Sequence, residues 1–402
     1  MAKGKGGFIG QDGLNAPDSP TGVSGTEGDS SAEVSFTAPS DVGGSAITGY
    51  RVQSNNGIGA SGSSSPITVT GLTNGTSYTF NVWAINAFGY SAPSDASGSV
   101  TPAEPDYGMF MRFTNGSAAD EVKVVNIKTL GNTTDFGTLS VSFNSRATAS
   151  SSTRGLIAGG QNSGGTPQNN IDYITIGSTG SGTDFGDISQ TRTAPTGLSN
   201  STRAVFSAGE ILSGTFQAVD TMDYVAIATT GNASDFGDLG TSVYHSMSTQ
   251  SSTRGLIQGG REGGALYDFI KRITISTTGN AAGFGNLSQG NAYGAAVSSG
   301  TRAVFAFGYQ SGFSNSNIME YVTIATVGSG VDFGDLTASG NNVQTTCSAT
   351  RGLIAGVGNT NTINYITIAS TGNGADFGDI GGYDNAGYAS TGCIGSDHGG
   401  LQ

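Results

Sequence analysis

The sequence predicts an all-β protein in two parts, a short N-terminal β-sandwich and a ring of six repeated four-stranded units. Three observations predict it. The first is a set of six Asp-Phe-Gly-like cores, Asp135-Phe136-Gly137, Asp184-Phe185-Gly186, Asp235-Phe236-Gly237, Gly283-Phe284-Gly285, Asp332-Phe333-Gly334 and Asp376-Phe377-Gly378, at intervals of 49, 51, 48, 49 and 44 residues. The second is a division between fixed and elastic spacing. An arginine (Arg154, Arg203, Arg254, Arg302, Arg351) follows each of the first five phenylalanines by 18 residues, and a strand-like run such as Tyr173-Ile174-Thr175-Ile176 starts 12 residues before each phenylalanine. From each arginine to the next such run, however, the distance is 19, 21, 18, 19 and then 14 residues. Self-similarity at this period marks blades or coils, and length change confined to one connection marks one face. The third observation is composition: 67 glycines and only 11% charged residues, interrupted by regular aliphatic and aromatic runs, argue for turn-rich β-structure over disorder.

The elements follow in order. Residues 1–16 read as a Gly-rich arm containing Phe8-Ile9-Gly10. Residues 17–103 carry alternating runs at 32–36, 47–52, 67–69 and 78–84, a length and pattern suited to an immunoglobulin-like sandwich. Residues 104–105 form a linker, and residues 106–402 hold the repeats, which average 49.5 residues over 297. Each unit offers four strands, A to D, illustrated by 193–199, 203–208, 223–227 and 235–239. The block opens at a B position with Phe110-Met111-Arg112-Phe113 and ends with an A-like run at 385–391. That last run is expected to complete the first unit, which closes the ring and hides its sheet edges.

Several function classes are excluded. The net charge is -13 with Lys+Arg at 16, and no basic cluster lies beyond Lys3 and Lys5, so no nucleic-acid partner is expected. The stretch from Met1 to Gly13 lacks an apolar core and no run of about 20 apolar residues occurs, so neither secretion nor membrane insertion is expected. Cys347 and Cys393 belong to neighbouring units; buried thiols are expected, with a bridge across the unit boundary as the alternative. The Asp-Phe-Gly cores lack the glycine-rich loop, lysine and catalytic loop that a kinase magnesium site requires. Asp184 with Asp187, and the counterparts Asp235/Asp238, Asp332/Asp335 and Asp376/Asp379, offer oxygens for calcium but fall short of six ligands. His245, in an A-like strand, and His398, in the polar tail, are the only histidines, too few for a multi-histidine metal site or repeated His-based catalysis. No acidic pair stands apart from the repeat as a glycosidase pair would. No catalytic residue, metal or cofactor is expected.

An antiparallel four-stranded unit places its A–B and C–D connections on one face and its B–C and D–A connections on the other. On the first face the phenylalanines (Phe136, Phe185, Phe236, Phe284, Phe333, Phe377) are expected to wedge between units, and the arginines to form corner pairs with the Asp-Phe-Gly carboxylates. The B–C connections are the elastic ones, and their contents differ: 161–166 is rich in amide and hydroxyl groups, while 261–267 and 309–313 carry arginine and aromatic rings. Such groups suit sugar hydroxyls and apolar sugar faces, or a protein partner. Arg261, Tyr267, Tyr309 and Phe313 are therefore the candidate binding residues.

Three resemblances add to this reading. Leu72, Asn74, Gly75, Thr76 and Tyr78 resemble the tyrosine corner of fibronectin type III domains, as does the ending Gly89-Tyr90-Ser91-Ala92-Pro93-Ser94, with Phe36 where the family usually has tryptophan. No Arg-Gly-Asp is present, so integrin binding is not implied. The Gly159-Gly160 and Gly259-Gly260 pairs and the aromatic opening of strand C resemble kelch-like β-propellers, with Phe where kelch blades commonly carry Trp. The expected fold is thus a fibronectin III-like β-sandwich followed by a closed six-bladed kelch-like β-propeller. The combination resembles virion structural proteins of tailed phages, particularly those of marine cyanophages. That resemblance implies a non-enzymatic fibre or capsid-decoration component, assembled in the host cytoplasm and present in multiple copies. The arm and fibronectin-like module would contact other virion proteins, and the propeller would meet a host-surface glycan or a neighbouring virion protein. The alternative is a bacterial cell-surface or secreted carbohydrate-binding propeller protein.

Overall fold

The computed structural model describes residues 15–111, 119–310, 312, 314–381, 391–392 and 394–401. The chain separates into two compact units, Met1–Pro105 and Asp106–Gln402. It is all-β: among the described residues the only helical turns are Val357–Asn359 and Gly399–Leu401. Residues 1–14 of the expected arm, Arg112 and Phe113, Phe313, Cys393 and most of the run 385–391 lie outside the described residues.

In the first unit, burial alternates residue by residue along Ser31–Thr37 and Phe80–Asn86, so each strand turns one face inward. One sheet joins Thr21–Gly28, Ser31–Thr37 and Ile67–Thr70; the other joins Gly59–Gly62, Ile47–Ser54, Phe80–Asn86 and Gly89–Tyr90. Val34, Val52, Val69, Phe80 and Val82 fill the core. Phe36 belongs to that core, its ring 4.7 Å from Tyr50, so an aromatic core position survives without tryptophan. Tyr78 is buried and its hydroxyl accepts the Thr73 N–H at 3.0 Å, which pins the corner. Beyond Tyr90, the N–H groups of Ser91, Ser94 and Ser97 donate to the carbonyls of Ala84, Val82 and Phe80, and their hydroxyls accept from the N–H groups of the same three residues. The three-residue spacing is that of a polyproline-like extended chain.

Among the described residues the second unit holds six sheets built on the antiparallel strand order A-B-C-D, and one separate two-stranded hairpin. Sheet I is Ile394–Gly395, Tyr107–Met111, Ala119–Asn126 and Thr134–Phe143; sheet II is Ala147–Ser150, Arg154–Ala158, Gln168–Thr175 and Thr183–Arg192. Sheet III is Thr196–Ser199, Arg203–Ser207, Thr215–Ala226 and Ser234–Val243; sheet IV is Met247–Gln250, Arg254–Gln258, Phe269–Thr274 and Ala282–Asn286. Sheet V is Ala295–Ser298, Arg302–Ala306, Ser314–Thr323 and Val331–Gly340; sheet VI is Gln344–Cys347, Arg351–Ala355, Thr362–Thr367 and Ala375–Asp379. The A strands of sheets II to VI are buried at every residue and pack on one another in order. Cys347 lies among them, its Sγ 3.5 Å from the Ser298 carbonyl.

Apolar layers join the sheets. Phe185 packs with Leu156 and Ile171 of its own sheet and with Phe206, Val225 and Ile227 of sheet III. Phe377 packs with Leu353 and Ile363 of sheet VI and with Phe110, Val125 and Ile127 of sheet I. All six phenylalanines are at most 5% exposed. The glycine that follows each one has a separate cause. Gly186, Gly237, Gly334 and Gly378 have φ of 145°, 131°, 137° and 148°, and a Cβ there would strike the C–D turn of the next sheet. That turn docks by backbone hydrogen bonds. Gly180, Gly231, Gly279, Gly328 and Gly372 donate to the carbonyls of Phe136, Phe185, Phe236, Phe284 and Phe333, and Gly131 of sheet I donates to Phe377 of sheet VI.

Two expectations are corrected. The arginines form no ion pair with the Asp-Phe-Gly carboxylates among the described residues. Arg154, Arg203, Arg302 and Arg351 lie over the rings of Tyr173, Tyr224, Tyr321 and Tyr365 at 4.3–5.0 Å, and donate to the carbonyls of Ile227, Ile275, Ile368 and Ile127 in the following sheet. The physical reason is register: strand B opens opposite the end of strand C, so the tyrosine two residues inside that end meets the guanidinium, while the first Asp of the motif faces solvent. The strand beside strand B of sheet I also differs. The segment that pairs with Gly108 and Met109 is Ile394–Gly395, not 385–391, and Thr391–Gly392 runs parallel to Ala147-Thr148 of sheet II.

A second device between sheets is polar. The strand C position occupied by Asp172, Asp223, Glu320 and Asn364 reaches the preceding sheet, where Ser140, Ser189 and Thr337 of strand D, and Ser288 just beyond it, donate their N–H groups to it. Asp223 also pairs with Arg192, and both side chains are fully buried.

These contacts predict an order of stability losses. Phe236→Ala should cost about 3–5 kcal/mol through the cavity it leaves between sheets III and IV. Arg203→Ala should cost only about 1–2 kcal/mol, since it removes one carbonyl hydrogen bond and one ring contact. Denaturant midpoints of the two variants check the order, and equal losses would contradict it.

Candidate recognition rim

The face carrying the B–C and D–A connections differs from unit to unit, and its frame comes from the D–A turns. Ser145, Ala194, His245, Tyr293 and Asn342 occupy corresponding turns, each with φ between 51° and 61°. Their backbones are linked in sequence: Ala194 N–H donates to Ser145, His245 to Ala194, Tyr293 to His245 and Asn342 to Tyr293. Left-handed backbone at a non-glycine residue is costly, and here neighbouring turns hold it in place. His245 is therefore a turn residue preceding strand A rather than part of that strand.

Above this frame the B–C connections begin at Gln161, Glu210, Arg261 and Tyr309, and bridges pair the first three with Asn144, Thr193 and Tyr244. Tyr309 pairs with Ala292. The connections then diverge. Sheet III extends a hairpin over 210–218 whose tip exposes the cross-strand pair Leu212 and Phe216. Sheet IV forms a tight hairpin from Arg261–Glu262 to Ala265–Leu266 around Gly263 and Gly264, both left-handed. Sheet VI replaces the hairpin by the short turn Val357–Asn359.

One cluster emerges where sheets IV and V meet. The half-buried Arg261 guanidinium lies 5.3 Å from the Tyr244 ring and 6.0 Å from the Tyr293 ring, and its Nη1 donates to the Tyr293 hydroxyl at 3.3 Å. Tyr293 stacks on His245 at 3.8 Å and meets Tyr309 edge-on at 5.3 Å. Burial tends to lower the Arg261 pKa, but Tyr293, Tyr244 and Glu210 together raise it above the ordinary value. Burial raises the Glu210 carboxyl, with Arg261 opposing that shift. His245 is pushed down to about 3 by burial and then by the Arg261 charge, so its imidazole is neutral at physiological pH. The cluster thus presents a fixed cation among aromatic faces, with hydroxyl and carboxylate groups at its edge.

Arg261 and Tyr309 come together through Tyr293. Tyr267 stands apart, its ring 5.8 Å from Phe269 and packed on the apolar layer between sheets III and IV. Tyr244, Tyr293 and Glu210 were missed by sequence reasoning, which named His245 but placed it in an A-like strand. Aligning the D–A turns at their 49, 51, 48 and 49 residue spacing would have placed His245 and Tyr293 at one position of neighbouring units. Among the described residues no group of three or more His, Cys, Asp or Glu converges to hold a metal ion.

His398 is fully buried, not part of a solvated tail. Its Nε2 donates to the Ser150 carbonyl at 3.0 Å, and its Nδ1 accepts from Gly400 N–H at 3.0 Å and Gln250 Nε2 at 3.1 Å. It sits across the ends of the A strands of sheets II and IV, on the arginine-bearing face. Burial lowers its pKa to about 4.

Residues 18–99 match the family model of the fibronectin type III domain, and the first unit is such a domain. A crystal structure of domains A168-A170 from titin is similar to this chain at 33% identity, covering 22% of this chain and 33% of that one, with a TM-score of 0.21. No curated protein matches the chain.

The two histidines predict a pH dependence. Both folded pKa values lie below the unfolded value near 6.5, so the unfolded chain binds protons first as pH falls. The stability they contribute is fully present above about pH 6.5 and is lost on acidification, until about pH 4 for His398 and about pH 3 for His245. Each contributes a slope of about 1.4 kcal/mol per pH unit within its window. Urea titrations between pH 7 and 4 should show a shallower slope for His245→Phe than for the parent chain, and parallel slopes would refute the assignment.

Proposed function

We propose that residues 106–402 form a closed six-bladed, kelch-like β-propeller in a non-enzymatic virion structural protein of a tailed phage, of fibre or decoration type. Six sheets, and hydrogen bonds from Gly131 to Phe377 and from Arg351 to Ile127, support the closed ring. In this reading the fibronectin type III domain and the N-terminal arm contact other virion proteins. The B–C rim then faces a host-surface glycan or a neighbouring virion protein. The observation that carries it is the division of labour between faces. Phenylalanines, glycines and arginines of the repeat recur in the contacts between sheets, whereas Arg261, Tyr244, Tyr293 and Tyr309 gather at one place on the rim. Arginine and aromatic rings are the residue types in which binding energy concentrates. Many copies on one particle would convert weak contacts into avidity, by about 10²- to 10⁴-fold.

Mass spectrometry and imaging of purified particles test the location, and absence from particles would overturn it. For the rim, the double variant Arg261→Ala/Tyr309→Ala should keep the parental melting temperature to within a few degrees while reducing adsorption or assembly by about tenfold or more. A folded variant that adsorbs and assembles normally would exclude this rim.

A further inference from the structure

The fibronectin type III domain carries a cavity that plays no part in the rim. Arg51, Gln53, Trp83, Tyr90 and Ser91 line a shallow groove of ≈ 200 Å³. Strand alternation dictates its composition: Tyr50, Val52, Val82 and Ala84 turn into the core, so Arg51, Gln53 and Trp83 turn outward. Arg51 stands directly opposite Trp83 in register, and Tyr90 stands opposite Ile85, one diagonal step from Trp83. The core of this domain is filled without Trp83, which is the single tryptophan of the chain. Tyr90 is 56% exposed. Two large rings held on the solvent side of a sheet, beside a guanidinium and an amide, add little to packing and form a ready contact surface.

We propose that this groove is a binding subsite for one pyranose ring of a glycan. The apolar face of the sugar lies on Trp83 and Tyr90, while the Arg51 guanidinium and the Gln53 amide hydrogen-bond its hydroxyls or a ring carboxylate. Size favours a single ring, because the volume falls below the ~300 Å³ at which pockets for larger ligands begin. Chemistry favours a sugar over a peptide strand, because added strands pair with a free sheet edge and this groove opens on a sheet face. The site is independent of the rim and stands or falls separately from it.

The lone tryptophan makes the test direct. Intrinsic fluorescence of the full chain is titrated with lactose, maltotriose and trigalacturonate. A saturable emission change with at least one of them is expected. Tyr90→Ala and Arg51→Ala, which keep the reporter, should weaken binding about tenfold, and Arg261→Ala/Tyr309→Ala should leave the titration unchanged. A response to trigalacturonate alone supports the site and assigns Arg51 to a carboxylate; a response to the neutral sugars supports it and assigns Arg51 to hydroxyls. No change with any of the three overturns the proposal. So does a change that Tyr90→Ala and Arg51→Ala leave intact.

Discussion

The repeat unit depends on how closely one sheet's C–D turn approaches strand D of its neighbour. The turn donates a backbone N–H to the carbonyl of each motif phenylalanine, and only a glycine at the next position gives the turn room. Given that approach, the phenylalanine side chain is enclosed by two sheets, and the N–H of the residue that follows the motif glycine meets the turn's asparagine, as Asp187 does with Asn232 and Asp238 with Asn280. The three-residue motif is therefore one piece of docking geometry. Its first Asp, which looks most like chemistry, is the member that faces solvent.

The all-β class and the fibronectin type III domain were legible because their signals are local: alternation along strands, and a tyrosine six residues beyond Leu72 that reaches back to Thr73. The role of the arginines was not legible. Their acceptors are backbone carbonyls 66 to 73 residues further on, or 224 residues back for Arg351, and a carbonyl leaves no mark in sequence. The polar clamp was hidden for another reason: Asp172, Asp223, Glu320 and Asn364 perform one task with three residue types, while sheet IV uses Lys271, which donates to the Leu239 carbonyl instead. Sequence comparison between units sees variation where the structure places a common function.

In the rim, the same logic runs in reverse. The backbone of the D–A turns is uniform in φ and linked by hydrogen bonds, yet its side chains range from Ser145 and Ala194 to His245 and Tyr293. A rigid backbone with free choice of side chain is what positions an aromatic stack without help from the loops above it. Arg261 and Tyr309 then add to a platform already set by Tyr293.

Sheet I receives its inner strand from Ile394–Gly395, nearly three hundred residues from the strand B it completes. Pairing at such separation is slow, because the entropy of closing the intervening chain is lost before the contact is rewarded. Until it forms, sheet I presents an unpaired edge at Tyr107–Met111, and the apolar layer around Phe136 lacks Ile394. At high concentration a second chain can offer that edge its own equivalent segment, so exchange of this segment between molecules competes with self-completion in a concentration-dependent way.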